Sequence, residues 1–155
     1  MEIIFTKRTS VEEVEEGKNL QPKFDENGLI PVITIDNDDN QVLMHGYMNE
    51  EALKTSIKTK MSHYWSRSRK KIWKKGETSG FFQNITKIQI DDDQDCIILF
   101  VKLSGTKASC HVGYKSCFYR EIDIDSKQLE LKFIEDEKIF DPDEVYGDAP
   151  NPTIL

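Results

Sequence analysis

Short β-like runs, separated by glycine and polar turn residues, follow one another along most of this sequence and constrain its fold more than any other feature. Runs rich in β-branched and aromatic residues, with turn residues at both ends, predict strands. The predicted strands cover 29–35, 41–47, 63–69, 72–74, 82–90, 96–103, 118–124 and 129–134. The first two flank the polar stretch 36–40, whose short side chains favour a turn, so we expect them to form a hairpin.

Capping residues predict two helices between these strands. Ser10 and Glu13 form a capping box at the start of a short helix, and Gly17 is placed to end it. Asn49 can cap a longer helix, because its side chain can accept from the free amides of the next turn. Glutamates follow Asn49 and lysines lie about one turn before the expected end, as the helix dipole favours.

The length fits one folded domain. A chain of 155 residues, 37% of them hydrophobic, can bury a single core and has little room for a second. We therefore expect one strand-dominated α+β domain with a few short helices over residues 1–134. Residues 135–155 are acidic and contain three prolines, so they are predicted to be a tail or a surface clasp.

Apolar runs are too short for a spanning helix, and the mean hydropathy is -0.57. The first residues lack a basic start followed by a long apolar stretch, so no secretory signal is visible and a cytoplasmic location is expected. Three cysteines in a reducing compartment are better explained as thiolate ligands or buried thiols than as disulfides.

The charge is unevenly distributed. A net charge of -7 argues against a protein that coats nucleic acid, because such binding requires Lys and Arg to neutralise phosphates. Residues 67–75 nevertheless contain six Lys and Arg and no acid. A basic patch on an acidic protein indicates a small anionic ligand.

An acidic run provides a candidate metal site. If residues 91–95 continue a strand, Asp91, Asp93 and Asp95 project from one face and repel one another. A hard cation such as Mg²⁺ relieves that repulsion through oxygen ligands. Taken alone, the run is better explained as a solvated turn or a charged edge strand, and the neighbouring features favour the metal site.

Two cysteines provide a second candidate site. Cys110 and Cys117 are six residues apart, wider than the spacing of common zinc knuckles, so this pattern alone supports zinc weakly. His111 adds a nitrogen donor or a proton shuttle beside them. A third protein ligand has to come from elsewhere in the fold or from another subunit.

An aromatic and basic segment provides a candidate nucleotide site. Strand alternation places His63, Trp65, Arg67 and Arg69 on one face. Trp65 can stack on a purine and the arginines can bind phosphate oxygens in bidentate fashion. Core packing remains the alternative explanation for the tryptophan.

Several separated stretches, taken together, resemble the phosphoribosyl-AMP cyclohydrolase family over roughly residues 20–123. They are VLM at 42–44, YMN at 47–49, HYWSRSR at 63–69, WKKGETSG at 73–80, CHVGY at 110–114 and SCFYR at 116–120. The resemblance implies an intertwined homodimer whose active site is shared between subunits.

The resemblance also implies two metals. Mg²⁺ is expected at Asp91, Asp93 and Asp95. Zn²⁺ is expected at Cys110 and Cys117, with a third ligand from the partner subunit at the position between the first two aspartates. The family has a cysteine there, whereas this chain has Asp92, which is expected to take its place as the ligand. Cys96, four residues further on, could substitute only if the strand bends or slips.

The implied reaction is the metal-dependent hydrolytic opening of the C6–N1 bond in the adenine ring of 1-(5-phosphoribosyl)-AMP, a step of histidine biosynthesis. His111 is assigned to proton transfer, with His63 in reserve. The purine and the two phosphate groups are assigned to four further residues, Trp65, Arg67, Arg69 and Lys75.

Two other classes of function remain open from the sequence. A degenerate, non-catalytic homologue could keep the metals for structure or partner binding. A module that binds single-stranded nucleic acid could use the aromatic and basic segment as a stacking platform, although the acidic balance disfavours it.

Overall fold

A computed structural model describes residues 2–155 of the chain. Its helices are α1 (Val11–Glu16), α2 (Glu50–Thr59) and α3 (Pro142–Tyr146). Its strands are β1 (Ile30–Asp36), β2 (Val42–Met48), β3 (His63–Ser66), β4 (Lys71–Lys74), β5 (Gln83–Ile90), β6 (Ile97–Leu103), β7 (Arg120–Ile122) and β8 (Leu131–Phe133). The prediction of a strand-dominated α+β domain with a few short helices is confirmed. Within residues 2–155, each helix is too short or too polar to cross a membrane.

A four-stranded sheet in the order β2-β1-β6-β5 forms the centre of the fold. The predicted hairpin is present, with β1 antiparallel to β2 and Val32 opposite Gly46. On its other side β1 runs parallel to β6, with Val32 opposite Ile97. β6 and β5 then form an antiparallel pair joined by a short turn after Ile90.

Alternation along β1 explains where the core lies. Its residues are alternately buried and half-buried, as expected for a central strand that faces the core on one side. The apolar side chains that form this core come mainly from the sheet, α2 and β3. They are Ile30, Val32, Leu43, Met44, Met48, Ala52, Leu53, Tyr64, Ile97, Leu99 and Val101.

Both predicted helix starts are confirmed. Ser10 Oγ accepts a hydrogen bond from the Glu13 amide at 3.2 Å. Asn49 Oδ1 accepts from the Ala52 amide at 2.9 Å, and α2 ends at Lys60 in the left-handed conformation. The caps satisfy amides that have no partner inside the helix.

The strand predicted over 63–69 is too long. β3 ends at Ser66, and residues 67–70 form the turn into β4, with Lys70 at a φ of 51°. Arg67 and Arg69 therefore do not continue the alternating face of His63 and Trp65. The consecutive charged side chains at 69–71 fit a solvated turn better than a paired strand.

The predicted strand face for the aspartates is also wrong. β5 ends at Ile90, and residues 91–95, named the acidic turn below, lead from β5 into β6. Gln94 there adopts a φ of 59°. The short polar side chains of residues 91–95 favour a turn over a strand, and the geometry of that turn determines where the carboxylates point.

The C-terminal third contains a small hairpin and a helix that folds back. β7 and β8 are shorter than the strands predicted for 118–124 and 129–134. After them, the Ile139 amide donates to the Gly113 carbonyl at 2.7 Å. The Phe140 ring packs edge-on against Phe81 with centroids 5.1 Å apart. Residues 139–140 thus lie against the loop that carries the cysteines.

Candidate active site

The acidic turn brings three carboxylates together. Within residues 2–155 one group of three ligating side chains converges, with oxygens of Asp91, Asp93 and Asp95 within 4.8 Å of one another. Desolvation and the charges of Asp93 and Asp91 raise the pKa of Asp95. Burial opposes ionisation of Asp91, but the amides of Cys96 and Asp95 donate to it and lower its pKa overall.

This group fits a hard divalent cation. Three converging oxygen donors with repelling charges are the ligand type that Mg²⁺ prefers, and open positions remain for water or phosphate oxygens. Asp92 is exposed and lies outside the group. It is therefore free to contact a second molecule.

The N-terminal segment holds the acidic turn in place. The buried side chain of Gln94 accepts from the Gln21 amide at 2.7 Å and donates to the Val14 carbonyl at 2.9 Å. Arg8 Nη2 donates to the Asp93 carbonyl at 2.9 Å. These bonds compensate the unfavourable left-handed conformation at Gln94.

The cysteine loop (residues 104–117) places two thiols close enough for each to shift the pKa of the other. Cys110 is buried and Cys117 is exposed. Their mutual hydrogen bond, the Val112 amide and the charge of Lys75 lower the pKa of Cys110 to about 7, despite its burial. The same hydrogen bond raises the pKa of Cys117. Two cysteine sulfurs, one of which readily forms a thiolate, are suited to bind zinc, but zinc also needs further ligands.

His111, next to Cys110, has a buried ring nitrogen, Nε2, without a hydrogen-bond partner among the described residues. Burial and the nearby charge of Lys75 lower its pKa, while the side chain of Asn151 acts in the opposite direction. The imidazole is therefore neutral at pH 7 and can accept a proton.

Lys75 also lies at the cysteine loop. Its Nζ donates to the Ser109 carbonyl at 2.6 Å, beside Cys110. Burial lowers its pKa, and electrostatic interaction with Cys117 and Cys110 opposes that shift. An ammonium has three N–H donors, so two remain for an anion.

The remaining predicted site residues lie on β3 and the turn after it. His63 Nδ1 contacts the Met61 carbonyl at 2.8 Å. Trp65 is half-buried. Arg67 and Arg69 are exposed, and the Arg67 guanidinium lies 4.2 Å from the Tyr47 ring centroid. The arginines are placed on aromatic surface but are free to bind phosphate.

The acidic turn and the cysteine loop lie at opposite ends of the β5–β6 hairpin. Gln83, the first residue of β5, reaches Ser109 in the cysteine loop, with its Nε2 2.9 Å from Ser109 Oγ. The acidic turn follows Ile90, at the other end of the strand. At about 3.3 Å per residue, β5 separates the two sites by about 25 Å.

Comparisons with known proteins identify the family. A family model described as phosphoribosyl-AMP cyclohydrolase matches residues 44–119. Proteins of that name are similar over most of their length. One from Rhizobium rhizogenes is 47% identical over 138 residues, 89% of this chain and 93% of the relative. The chain belongs to the phosphoribosyl-AMP cyclohydrolase family.

Two further cyclohydrolases give the same result. The relative from Chloroherpeton thalassium is 50% identical over 125 residues, 81% of this chain and 86% of its own length. That from Methanoregula boonei is 51% identical over 125 residues, 81% of this chain and 94% of its own length. The cyclohydrolase match at 44–119 includes the acidic turn and the cysteine loop. It leaves out the N-terminal residues that brace the acidic turn.

Sequence reasoning missed the side chains that hold the site. Gln94 and Arg8 brace the acidic turn, and Gln83 contacts Ser109. One signal was available, because Gln83 shares the alternating face of its predicted strand with Ile85. A polar residue on such a face indicates a buried partner, but its partner lies 26 residues away and leaves no local pattern.

Proposed function

We propose that this chain hydrolyses 1-(5-phosphoribosyl)-AMP, opening the C6–N1 bond of its adenine ring in histidine biosynthesis. The observation that carries the proposal is 47% identity over 138 residues to a phosphoribosyl-AMP cyclohydrolase, a stretch that spans most of the chain. The converging carboxylates, the paired thiols and the free nitrogen of His111 provide chemistry suited to a hydrolase.

The donor sets support two different metals. Asp91, Asp93 and Asp95 would hold Mg²⁺, which also neutralises substrate phosphate. Cys110 and Cys117 would hold Zn²⁺ together with Asp92 of the partner subunit. A zinc ion bound there would lower the pKa of water towards neutrality and so supply the nucleophile.

A homodimer explains how distant sites act together. The acidic turn and the cysteine loop of one chain are about 25 Å apart, so a site that uses both needs two subunits. Exposed large apolar side chains are concentrated around the β7–β8 hairpin, as at many subunit interfaces. They are Phe118, Ile122, Ile124, Leu129, Leu131, Phe133 and Ile134.

Two residues at the cysteine loop and one on β3 would handle protons and phosphate. His111 would accept a proton at Nε2, which has no partner within the described residues. His63, already bonded to the Met61 carbonyl, is the second candidate. Lys75 keeps two donors for a phosphate oxygen.

The aromatic and basic surface would bind the rest of the nucleotide. Trp65 would stack on the purine, while Arg67 and Arg69 bind phosphate. Their exposure in a turn leaves both guanidinium groups accessible. The free protein already holds Arg67 against the Tyr47 ring, which limits the conformations lost on binding.

The decisive experiment is ultraviolet-monitored turnover of 1-(5-phosphoribosyl)-AMP by metal-stripped protein. Mg²⁺ is returned alone or together with Zn²⁺. We expect ring opening only when both are present. A folded dimer that binds zinc and leaves the substrate intact would instead identify a degenerate homologue.

Mixed dimers test the shared site. Asp92→Asn and Cys117→Ser each remove one side of the zinc site, so either homodimer should be inactive. A mixed dimer retains one site with both groups intact, and activity should return when the two variants are refolded together. If the mixture stays inactive while both variants remain dimeric, Asp92 does not complete the site of the other subunit.

A further inference from the structure

A buried chain of hydrogen bonds runs from the centre of the sheet to the cysteine loop. Thr34 Oγ1 lies 2.7 Å from the Tyr64 hydroxyl, which donates to Gln83 Oε1 at 2.6 Å. Gln83 Nε2 donates in turn to Ser109 Oγ at 2.9 Å. All four residues are at most 2% exposed. Such a chain is stable only when every member is satisfied.

The available donors determine the direction of each hydrogen bond between Thr34 and Ser109. Tyr64 has one hydroxyl hydrogen, which it gives to Gln83, so Thr34 must donate to Tyr64. Burial raises the pKa of Tyr64, so the phenol stays protonated and keeps donating. The carboxamide of Gln83 is thereby oriented with its oxygen towards Tyr64 and its nitrogen towards Ser109.

Ser109 is held on three sides. Its hydroxyl accepts from Gln83, its amide donates to the Lys115 carbonyl at 2.8 Å, and its carbonyl accepts from Lys75 Nζ at 2.6 Å. The next residue is Cys110. With these three groups fixed, the backbone that leads into Cys110 has little freedom to rotate.

We propose that Gln83 is a positioning residue for the metal site: through Ser109 it holds Cys110 where a metal ion can be bound. This inference rests on the proposed zinc site at Cys110 and Cys117. A ligand that is already in place loses less conformational freedom when the metal binds, so the affinity is higher. Residues that orient metal ligands typically change metal affinity about 10-fold to 100-fold when they are replaced.

A purely structural role for Gln83 makes a different prediction. If its bonds only stabilised the core, replacing Gln83 would lower the melting temperature of the metal-free protein without changing zinc affinity. Thr34→Val is a matched control, because it removes the hydroxyl at the far end and keeps a similar shape. The bond between Gln83 and Ser109 remains in that variant.

The test measures zinc affinity of the full-length protein by competition with a chromophoric chelator, alongside melting of the metal-free form. Gln83→Met and Ser109→Ala should each weaken zinc binding about tenfold. The double variant should bind zinc no more weakly than Gln83→Met, because both substitutions remove the same bond. Thr34→Val should lower the melting temperature and leave zinc affinity within about twofold.

Three results would overturn the inference. Zinc affinity could be unchanged in both Gln83→Met and Ser109→Ala. The losses of zinc affinity in these two variants could add fully in the double variant. Thr34→Val could weaken zinc binding as much as they do. Ser109→Ala carries the test alone if Gln83→Met does not fold, since it removes a single oxygen. Absence of zinc binding by the unsubstituted protein would instead overturn the proposed zinc site, and this inference with it.

Discussion

Gly46 on β2 leaves the space that the ring of Tyr64 on β3 occupies. A Cβ atom at position 46 would lie 2.9 Å from Tyr64 Cδ1 and 3.6 Å from Met44 Cε. Tyr64 is 1% exposed and its hydroxyl is held by Thr34 and Gln83, so the ring has no free space to move into. Close packing of β3 on the sheet therefore requires glycine at this point.

Gly46→Ala should destabilise the protein by about 1–3 kcal/mol, the usual effect of adding a methyl group to a filled core. Urea unfolding followed by circular dichroism measures the change. His45→Thr, at an exposed position of the same strand, should stay within about 0.5 kcal/mol of the unsubstituted protein. An unchanged midpoint for Gly46→Ala would show that Tyr64 has room to shift.

Gly113 fixes the returning C-terminal segment in a similar way. Its φ is 110°, and a Cβ there would lie 2.6 Å from the Phe140 carbonyl oxygen. Gly113→Ala should displace residues 138–140 from the cysteine loop. Limited proteolysis with trypsin should then cleave after Lys138 several-fold faster.

Gly80→Ala is the matched control for that prediction. Gly80 also has a positive φ, 76°, but an added Cβ would meet nothing within 4 Å. Both variants carry backbone strain of about 1–3 kcal/mol, whereas only Gly113→Ala carries the clash. Equal cleavage rates at Lys138 in the two variants would mean that the segment does not depend on Gly113.

Local patterns predicted the parts of this fold that depend on neighbouring residues. The β1–β2 hairpin and the caps at Ser10 and Asn49 follow from side chains within a few positions of one another. The parallel pairing of β1 with β6 joins residues more than sixty positions apart, such as Val32 and Ile97. No periodicity in either strand specifies that partner.

The candidate site likewise combines features that are readable from local sequence with features that depend on residues far apart in the chain. Residue type alone identified the aspartates and cysteines, because carboxylates and thiols are recognisable metal ligands. Their convergence depends on turn geometry and on distant braces such as Gln94 and Gln83. Strand alternation placed Arg67 wrongly, since it assumed that β3 continues beyond Ser66.

Arg67→Ala should weaken substrate binding more than it slows the chemical step. The guanidinium is exposed beside Tyr47, where it can pair with a phosphate, and it lies outside the cysteine loop. We expect a rise in KM with a much smaller change in kcat in steady-state turnover of 1-(5-phosphoribosyl)-AMP.

Lys71→Ala removes one exposed positive charge from the neighbouring strand and serves as the control for Arg67. Its KM should change less, because the charge of a lysine contributes less to phosphate binding than a guanidinium that forms a bidentate pair. The assignment of Arg67 to phosphate binding fails if Arg67→Ala leaves KM unchanged in a folded protein.

Lys115 makes the hairpin turn sensitive to acid. Its Nζ lies 2.6 Å from Asp39 Oδ2 and 3.0 Å from Asp36 Oδ2. The hydrogen bond from Lys115 lowers the pKa of Asp39 below its ordinary value of 3.8. The folded protein therefore binds this proton more weakly than the unfolded chain, and the resulting stabilisation is present above pH 3.8 and lost as the pH falls below it.

Asp39→Asn should accordingly reduce the loss of stability between pH 7 and pH 3, measured by urea unfolding at both values. The difference should be at most about 1 kcal/mol, because the pair is partly exposed to solvent. Asp38→Asn changes the same charge at an exposed neighbouring position and should keep the original dependence. A parallel loss of stability in Asp39→Asn and the unsubstituted protein would exclude Asp39 as the acid-sensitive group.

Removal of one carboxylate from the acidic turn should distinguish two effects: the repulsion between the carboxylates, and their ability to bind Mg²⁺. In the metal-free protein, the charge of Asp93 contributes to the raised pKa of Asp95, so ionising both has an unfavourable effect on folding. Asp93→Asn should therefore melt at the same or a higher temperature than the unsubstituted protein without metal.

Added Mg²⁺ should raise the melting temperature of the unsubstituted protein, because it binds only the folded state, and should have little effect on Asp93→Asn. Asp125→Asn, in an exposed loop, should respond to Mg²⁺ as the unsubstituted protein does; an equal response from Asp93→Asn would place the magnesium elsewhere.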